Sequence, residues 1–221
     1  MLVAGISIKN PQDLTTSGAI YTWPIGELDQ YSVLLSDPDG EINNILFSPD
    51  GDYLVYTVIK SPPPTPLSDL LTPSNIKPYY STMTGYLKLF AIQTKQSALI
   101  GTNESAIRAL AISANSEMIA TVSQDRSLKI WNRQSKSLQS IIPNGDISAL
   151  AFSPDNKTLA TGSISSGNVQ LWNTKTGKLV AIQQDAGVTF SVPVRKISFS
   201  PDGQLLAIAT EDGRVRFWNI Q

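Results

Sequence analysis

The chain has 221 residues, enough for one large domain or two small ones, and carries 17 Lys plus Arg against 18 Asp plus Glu, a formal charge of −1. That balance gives no electrostatic reason to expect a nucleic acid or an anionic membrane as partner. There is no Cys and no His, which excludes a disulfide framework, a thiolate nucleophile, an imidazole base and zinc held through nitrogen or sulfur.

Charged residues make up 16% of the chain, against about 25% in an average domain, and Ser and Thr are abundant, a balance that favours β-structure over long surface helices. The opening MLVAGISIK has an apolar run with no basic residue before it and no small-residue cleavage site after it, so it reads as a strand and not as a secretion signal. No stretch reaches the roughly 18 consecutive apolar residues of a membrane-spanning helix. Cytoplasmic residence is the default expectation.

The chain repeats itself. Phe47-Ser48-Pro49-Asp50-Gly51, Phe152-Ser153-Pro154-Asp155-Asn156 and Phe199-Ser200-Pro201-Asp202-Gly203 share one turn motif, with a weaker copy at Ile112-Ser113-Ala114-Asn115-Ser116. An aromatic series keeps step: Trp23, Phe90, Trp131, Trp172 and Trp218, the last three each followed by Asn. Turn and aromatic residue are 19 residues apart from Ile112, 20 from Phe152 and 19 from Phe199, but 43 from Phe47, so about 24 residues are inserted there.

Between the markers lie short strands bounded by turn residues. In chain order the first unit, 1–36, offers three: B at 2–8, C at 19–25 and D at 31–35. The second, 41–101, offers A at 42–48, B at 53–59, C at 86–92 and D at 98–100. The third, 104–142, gives 107–113, 118–123, 128–132 and 138–142; the fourth, 145–184, gives 147–153, 158–163, 169–173 and 179–182. The last, 192–221, gives A at 194–200, B at 205–210 and C at 215–220.

A period near 40 residues with four strands per period predicts an all-β chain, a β-propeller of four-stranded antiparallel blades whose sheets bury both faces. Burial on both faces accounts for runs such as Leu205-Leu206-Ala207-Ile208-Ala209. Eighteen strands make about four and a half blades, and the expectation is a single domain over 1–221 forming an incomplete or open ring.

The FSPDG turn, followed by LATGS or LAIAT and then VQLWN or VRFWN, resembles the WD-repeat (tryptophan-aspartate repeat) family of β-propellers, strongly from about residue 42 onward. The resemblance implies that each blade is braced by a C-strand Trp, a B-strand Ser or Thr, an Asp in the B–C turn and a His before strand A. Trp131, Ser123 and Asp125 match three of those positions, as do Trp218, Thr210 and Asp212. Trp172 has Ser166 at the Asp position. The His is missing throughout, leaving Thr102, Asn103, a water or solvent to stand in for it.

Patterns of catalysis are scarce. Gly162-Ser163-Ile164-Ser165-Ser166-Gly167 lacks the Lys-Ser/Thr ending of a phosphate cradle and no helix follows it. No GxSxG elbow occurs, and a Ser-His-Asp triad is impossible without His. Asp37-Pro38-Asp39-Gly40 opens like a calcium loop but has no Glu at the twelfth position, so a plain turn is the better reading. No catalytic residue, metal site or cofactor is expected. Arg126, Arg195 and Lys196 read as solvated.

Two features lie outside the repeat. The insertion 60–84 joins strands B and C of the second unit and carries Pro62, Pro63, Pro64, Pro66, Pro73 and Pro78, which cannot serve a β-ladder. The segment 9–18 is also a B–C connection, in the preceding unit. In an up-and-down blade all B–C and D–A connections leave the same edge, so both enlarged loops, and the D–A connection 183–193, decorate one face. Pro62, Pro63, Pro64 and Pro66 favour polyproline II, and Tyr79 and Tyr80 offer amphipathic anchors.

The expected function is therefore a non-enzymatic protein–protein interaction scaffold or sensor module that presents loops to a protein or peptide, with no nucleic acid and no membrane as partner. Self-association, or ring completion by another chain, follows from the missing strands. Two alternatives stand: a propeller enzyme acting on a small molecule at the central channel, and a non-functional fragment of a longer WD-repeat protein.

Overall fold

The computed structural model describes residues 2–9, 16–24, 29–61, 83–143, 146–183 and 192–220. Every regular element among them is a strand. In chain order these are β1 (Leu2–Lys9), β2 (Thr16–Trp23), β3 (Ser32–Asp37), β4 (Glu41–Phe47), β5 (Tyr53–Lys60), β6 (Thr84–Ala91), β7 (Gln96–Asn103), β8 (Ile107–Ile112) and β9 (Met118–Ser123). There follow β10 (Ser127–Asn132), β11 (Ser137–Pro143), β12 (Ile147–Phe152), β13 (Thr158–Ser163), β14 (Val169–Asn173), β15 (Leu179–Gln183), β16 (Val194–Phe199), β17 (Leu205–Thr210) and β18 (Val215–Asn219).

They form five antiparallel up-and-down sheets, β1-β2-β3, β4-β5-β6-β7, β8-β9-β10-β11, β12-β13-β14-β15 and β16-β17-β18, each strand bonded to its sequence neighbour and no sheet closed on itself. These are blades 1 to 5, three of them four-stranded and the first and last three-stranded, as the repeat spacing predicts. The largest boundary differences are three residues, at the end of β7, which runs to Asn103 where 100 was expected, and at the start of β2, which begins at Thr16 where residue 19 was expected. Its hairpin with β1 stays in register out to Lys9↔Thr16, so the connection is shorter than read.

The chain divides into two compact units. The first holds blades 1 and 2 with Ile107 and Ser123–Asp125; the second holds blades 4 and 5, the rest of blade 3 and the turn Ser48–Gly51.

The core of the first unit lies between its two sheets. Ile20 and Leu35 of blade 1 pack with Ile42, Leu54, Tyr56, Val58 and Phe90 of blade 2. In the second unit, Ala111, Ala120, Val122, Leu128 and Ile130 meet Leu159 and Trp172, and Ala149, Ala160, Val169 and Leu171 meet Val194, Ile197, Leu206 and Ile208. The B strands β5, β9 and β13 run apolar because they are buried on both faces: Leu54, Val55, Tyr56, Thr57 and Val58 are all fully buried. The run Leu205–Ala209, read from sequence in the same way, is buried on one face only: in β17 Leu206 and Ile208 are buried, while Leu205 is exposed and Ala207 and Ala209 are partly exposed.

The repeated turns act locally and between blades. Ser113 Oγ donates to Asn115 (2.7 Å) and Ser153 Oγ to Asp155 (2.6 Å), while the same serines accept the N–H of Met118 (2.8 Å) and Thr158 (2.9 Å). The residue ending the motif is left-handed in all four copies, φ 77° at Gly51, 60° at Ser116, 62° at Asn156 and 74° at Gly203, a conformation that Gly and Asn adopt most cheaply. Within the second unit, Asp50 N–H donates to Ser116 Oγ (3.1 Å), Arg133 pairs with Asp50 (3.3 Å) and Asn115 N–H donates to Asn156 (3.2 Å). A purely local role was the reading of these turns from sequence; the structure adds a chain of turn-to-turn links.

Candidate functional site

The Pro-rich insertion leaves β5 at Lys60 and rejoins β6 at Thr84, which pair directly. Its base is packed hard: Gly40 has φ 153°, and a Cβ there would lie 2.2 Å from the Ile59 carbonyl oxygen, so only Gly lets the two blades close at that point. Pro62, Pro63, Pro64, Pro66, Tyr79 and Tyr80 lie outside the described residues, as do residues 10–15 and 184–191 of the two other connections.

Blades 1 and 2 share a buried ionic cluster. Asp37, only 3% exposed, accepts the Lys88 ammonium on both carboxylate oxygens (2.8 Å each), the Tyr56 hydroxyl (2.9 Å) and the Asp39 N–H (3.0 Å). Lys88, 11% exposed, also pairs with Asp39. Burial pulls the Lys88 ammonium down, but hydrogen bonds and charge from Asp37 and Asp39 outweigh it and leave its pKa raised. Burial first, and then the Asp37 charge, push the Tyr56 phenol up. The Asp37–Gly40 segment, read from sequence as a plain turn, therefore ties blade 1 to blade 2 through Lys88. The pattern that could have revealed it is a Lys at the centre of an otherwise apolar C strand.

The aromatic series is braced through a simple register rule. Trp131 lies opposite Ile119, and its Nε1–H donates to Thr121 Oγ1 (3.0 Å), two residues further along β9. Trp172 lies opposite Leu159 and donates to Thr161 Oγ1 (2.9 Å). Both threonines are buried. A diagonal neighbour about 7 Å away is within reach of an indole, whereas Ser123, four residues beyond Ile119, is about 13 Å along the strand.

The assignment of Ser123 to the Trp131 brace is thereby corrected: Ser123 Oγ is buried and has no hydrogen-bond partner among the described residues. Asp125 is exposed, and its N–H donates to Ser105 Oγ (2.9 Å). Of the residues proposed to stand in for His, Thr102 is exposed, and the amide of buried Asn103 has no partner among the described residues.

In the other blades the same register position carries other chemistry. Phe90 lies opposite Leu54, and the residue two further on is Tyr56 of the ionic cluster. Trp218 lies opposite Leu206, and the corresponding residue is Ile208, which has no hydroxyl to offer; Trp218, partly buried, packs on the blade 4–5 core instead. Thr210 and Asp212 do form a pair (2.5 Å), yet their further partner is Arg216, whose guanidinium reaches both residues and lies 3.1 Å from the Asp212 carboxylate. The Thr210 hydroxyl and then Arg216 hold Asp212 down to about 2. Arg216 fills a role that sequence reading left vacant for want of His. Ser166 sits in a B–C turn, where its N–H donates to Ser163 Oγ (3.1 Å).

No group of three or more Asp and Glu among the described residues is placed to hold a metal ion, and no helix is long and apolar enough to cross a membrane. Arg126 and Arg195 are exposed and pair with Asp146 and Glu211.

Comparison with known proteins agrees with this architecture. The chain is 30% identical over 120 residues to human Apoptotic protease-activating factor 1, covering 49% of this chain and 9% of that protein. It is 34% identical over 105 residues to Small ribosomal subunit protein RACK1y of Oryza sativa, covering 47% and 29%. It is 29% identical over 143 residues to human Echinoderm microtubule-associated protein-like 2, covering 64% and 21%. Each match thus spans less than a third of the relative's length. The family model described as WD domain, G-beta repeat matches residues 93–132, 135–173 and 187–219, just over half of the chain. With three matched repeats over just over half of the chain, a recurrent Trp–Thr brace and five up-and-down antiparallel sheets, the chain belongs to the WD-repeat family.

Proposed function

We propose that the protein is a non-enzymatic interaction module, a single WD-repeat domain over 1–221 that presents the loops of one face to a protein or peptide partner. WD-repeat proteins serve in general as interaction scaffolds, and family membership supports that general kind. The observation that carries the more specific reading is the insertion between Lys60 and Thr84, whose flanking strands stay in unbroken register from Tyr53↔Ala91 to Lys60↔Thr84. The hairpin does not need the inserted residues, so their composition answers to something other than folding. Pro62, Pro63, Pro64 and Pro66 supply a stiff recognition segment, Tyr79 and Tyr80 supply anchors, and the Asp37–Lys88 cluster fixes the base.

Near-neutral charge supports a partner that is neither nucleic acid nor membrane, and the absence of Cys is compatible with the cytoplasm. Deleting 62–80 and closing with a short Gly-containing turn tests the reading. The deleted chain should fold as before and lose partner capture from a cell extract; unchanged capture would move the binding site elsewhere.

A further inference from the structure

Buried polar side chains in folded proteins are nearly always hydrogen-bonded, because an unpaired one gives up its contacts with water and gets nothing in exchange. Among the described residues the exceptions are Asn103 Nδ2, Asn103 Oδ1 and Ser123 Oγ, and both residues belong to the first compact unit. Asn103 ends β7, the outer strand of blade 2, and Ser123 ends β9 of blade 3. Each is 2% exposed.

Backbone bonding brings the two residues to one stretch of chain. In blades 4 and 5 the residue after the B strand, Ile164 or Glu211, donates its N–H to the carbonyl just before the A strand, and Ser163 and Thr210 then lie opposite Ile147 and Val194. Gln124 N–H makes the same bond to the Ala106 carbonyl (2.8 Å), which sets Ser123 opposite Ile107. Asn103 meets Ser105–Ile107 from the neighbouring sheet: it pairs with Gly85, and a Cβ on Gly85 would lie 2.5 Å from the Ser105 carbonyl oxygen and 3.1 Å from the Ile107 nitrogen. Protein groups on that stretch are already engaged. The Ile107 carbonyl accepts the side-chain amides of both Asn43 (3.1 Å) and Asn44 (3.2 Å), which fills its two lone pairs, and Ser105 Oγ accepts the Asp125 N–H (2.9 Å).

We propose that Asn103 and Ser123 together hold one structural water, which links the outer strand of blade 2 to the end of the B strand of blade 3. The three atoms define the ligand. Asn103 offers N–H donors and a carbonyl acceptor, and the Ser123 hydroxyl does either, so the occupant both donates and accepts. It is neutral, because neither side chain carries a charge to offset an ion in a buried site. It is also small and enclosed on folding: Ser105 is 4% exposed, Ala106 5% and Ile107 0%, so no path is left for a larger molecule from solution. A buried water makes about three hydrogen bonds, which matches the three atoms left over.

A high-resolution crystal structure of the full-length chain is the direct test. It should show a water within about 3.2 Å of Ser123 Oγ and of an Asn103 amide atom; a direct Asn103–Ser123 bond, or both side chains bonded to other protein groups, would overturn the proposal. A double-mutant cycle in urea gives a second readout. Asn103→Leu keeps the side chain's size but removes the water's main holder and strands Ser123, so it should lower the midpoint by about 0.5 M. Ser123→Ala in the parent leaves the water on Asn103 and should move the midpoint by less than about 0.2 M, whereas in the Asn103→Leu background it should recover part of the loss. An Asn103→Leu chain with an unchanged or higher midpoint would mean that the amide is unpaired, and additive effects would mean that no water couples the two residues; either overturns the proposal. The crystal structure needs no variant, so it decides the question even where Asn103→Leu fails to fold.

Discussion

Replacing Lys88 by Met should be the most damaging single change in the first unit. Met keeps most of the length and packing of the lysine stem, so the loss is confined to the ammonium. That group supplies both carboxylate oxygens of Asp37 with hydrogen bonds at 2.8 Å, and Asp37 is 3% exposed with Lys88 at 11%. What remains to Asp37 is the Tyr56 hydroxyl and the Asp39 N–H, neither of which neutralises the charge.

Removing one partner of a buried pair costs about 3–5 kcal/mol, because the surviving charge is stranded. Replacing both with apolar groups removes that charge, so Lys88→Met combined with Asp37→Leu should recover most of the loss. Asp39 is 45% exposed, and Asp39→Asn should cost less than about 1 kcal/mol.

Urea denaturation followed by tryptophan fluorescence suits the measurement, because Trp23 is the one Trp of the first unit while Trp131, Trp172 and Trp218 belong to the second. At pH 7 the Trp23 transition should move to lower urea and the others should follow it less. Because the pair is buried, 1 M salt should leave the penalty nearly unchanged. A Lys88→Met chain within about 1 kcal/mol of the parent, or a double variant no better than the single, would refute the reasoning.

Three further outcomes follow from the same geometry. Thr121→Val strands the indole N–H of buried Trp131 and should cost about 1–3 kcal/mol in a urea titration, whereas Ser123→Ala removes a buried hydroxyl that has no partner among the described residues and should be neutral or stabilising; the reverse order would restore Ser123 as the brace. Stability should be flat from about pH 5 to 9 and fall between about pH 4 and 2. The carboxyls of Asp39, Asp155, Asp202 and Asp212 are held down in the folded state, Asp212 to about 2, so their contribution is present above the ordinary carboxylate pKa and is lost as pH falls through the lowered value. Lys88 is raised, so its contribution persists until strongly alkaline pH; a thermal-melt profile that declines between pH 7 and 9 would contradict the Lys88 assignment, and one that stays flat between pH 4 and 2 would contradict that of the carboxyls. Gly40→Ala should destabilise the first unit clearly by the same urea assay, since its Cβ would meet the Ile59 carbonyl; Gly51→Ala, with φ 77° and open space around it, should cost only about 1 kcal/mol.

The order and approximate limits of all eighteen strands were legible in the sequence, because both signals behind them are local. Turn residues such as Ser153, Asp155 and Asn156 bond within a few positions of themselves, and a strand buried on both faces must be apolar wherever it runs. The repeat then fixed the pairing, since consecutive strands joined by short turns have no other antiparallel neighbour. The bracing network was legible only as a set of residue types. Whether the hydroxyl facing Trp131 is Thr121 or Ser123 depends on cross-strand register, which sequence spacing alone leaves two residues adrift.

What tertiary structure alone decided is chemistry between residues distant in the chain. Asp37 and Lys88 are 51 positions apart, and each looks in sequence like an ordinary surface charge. Burial of both beside Tyr56 makes them the ionic core of the first unit.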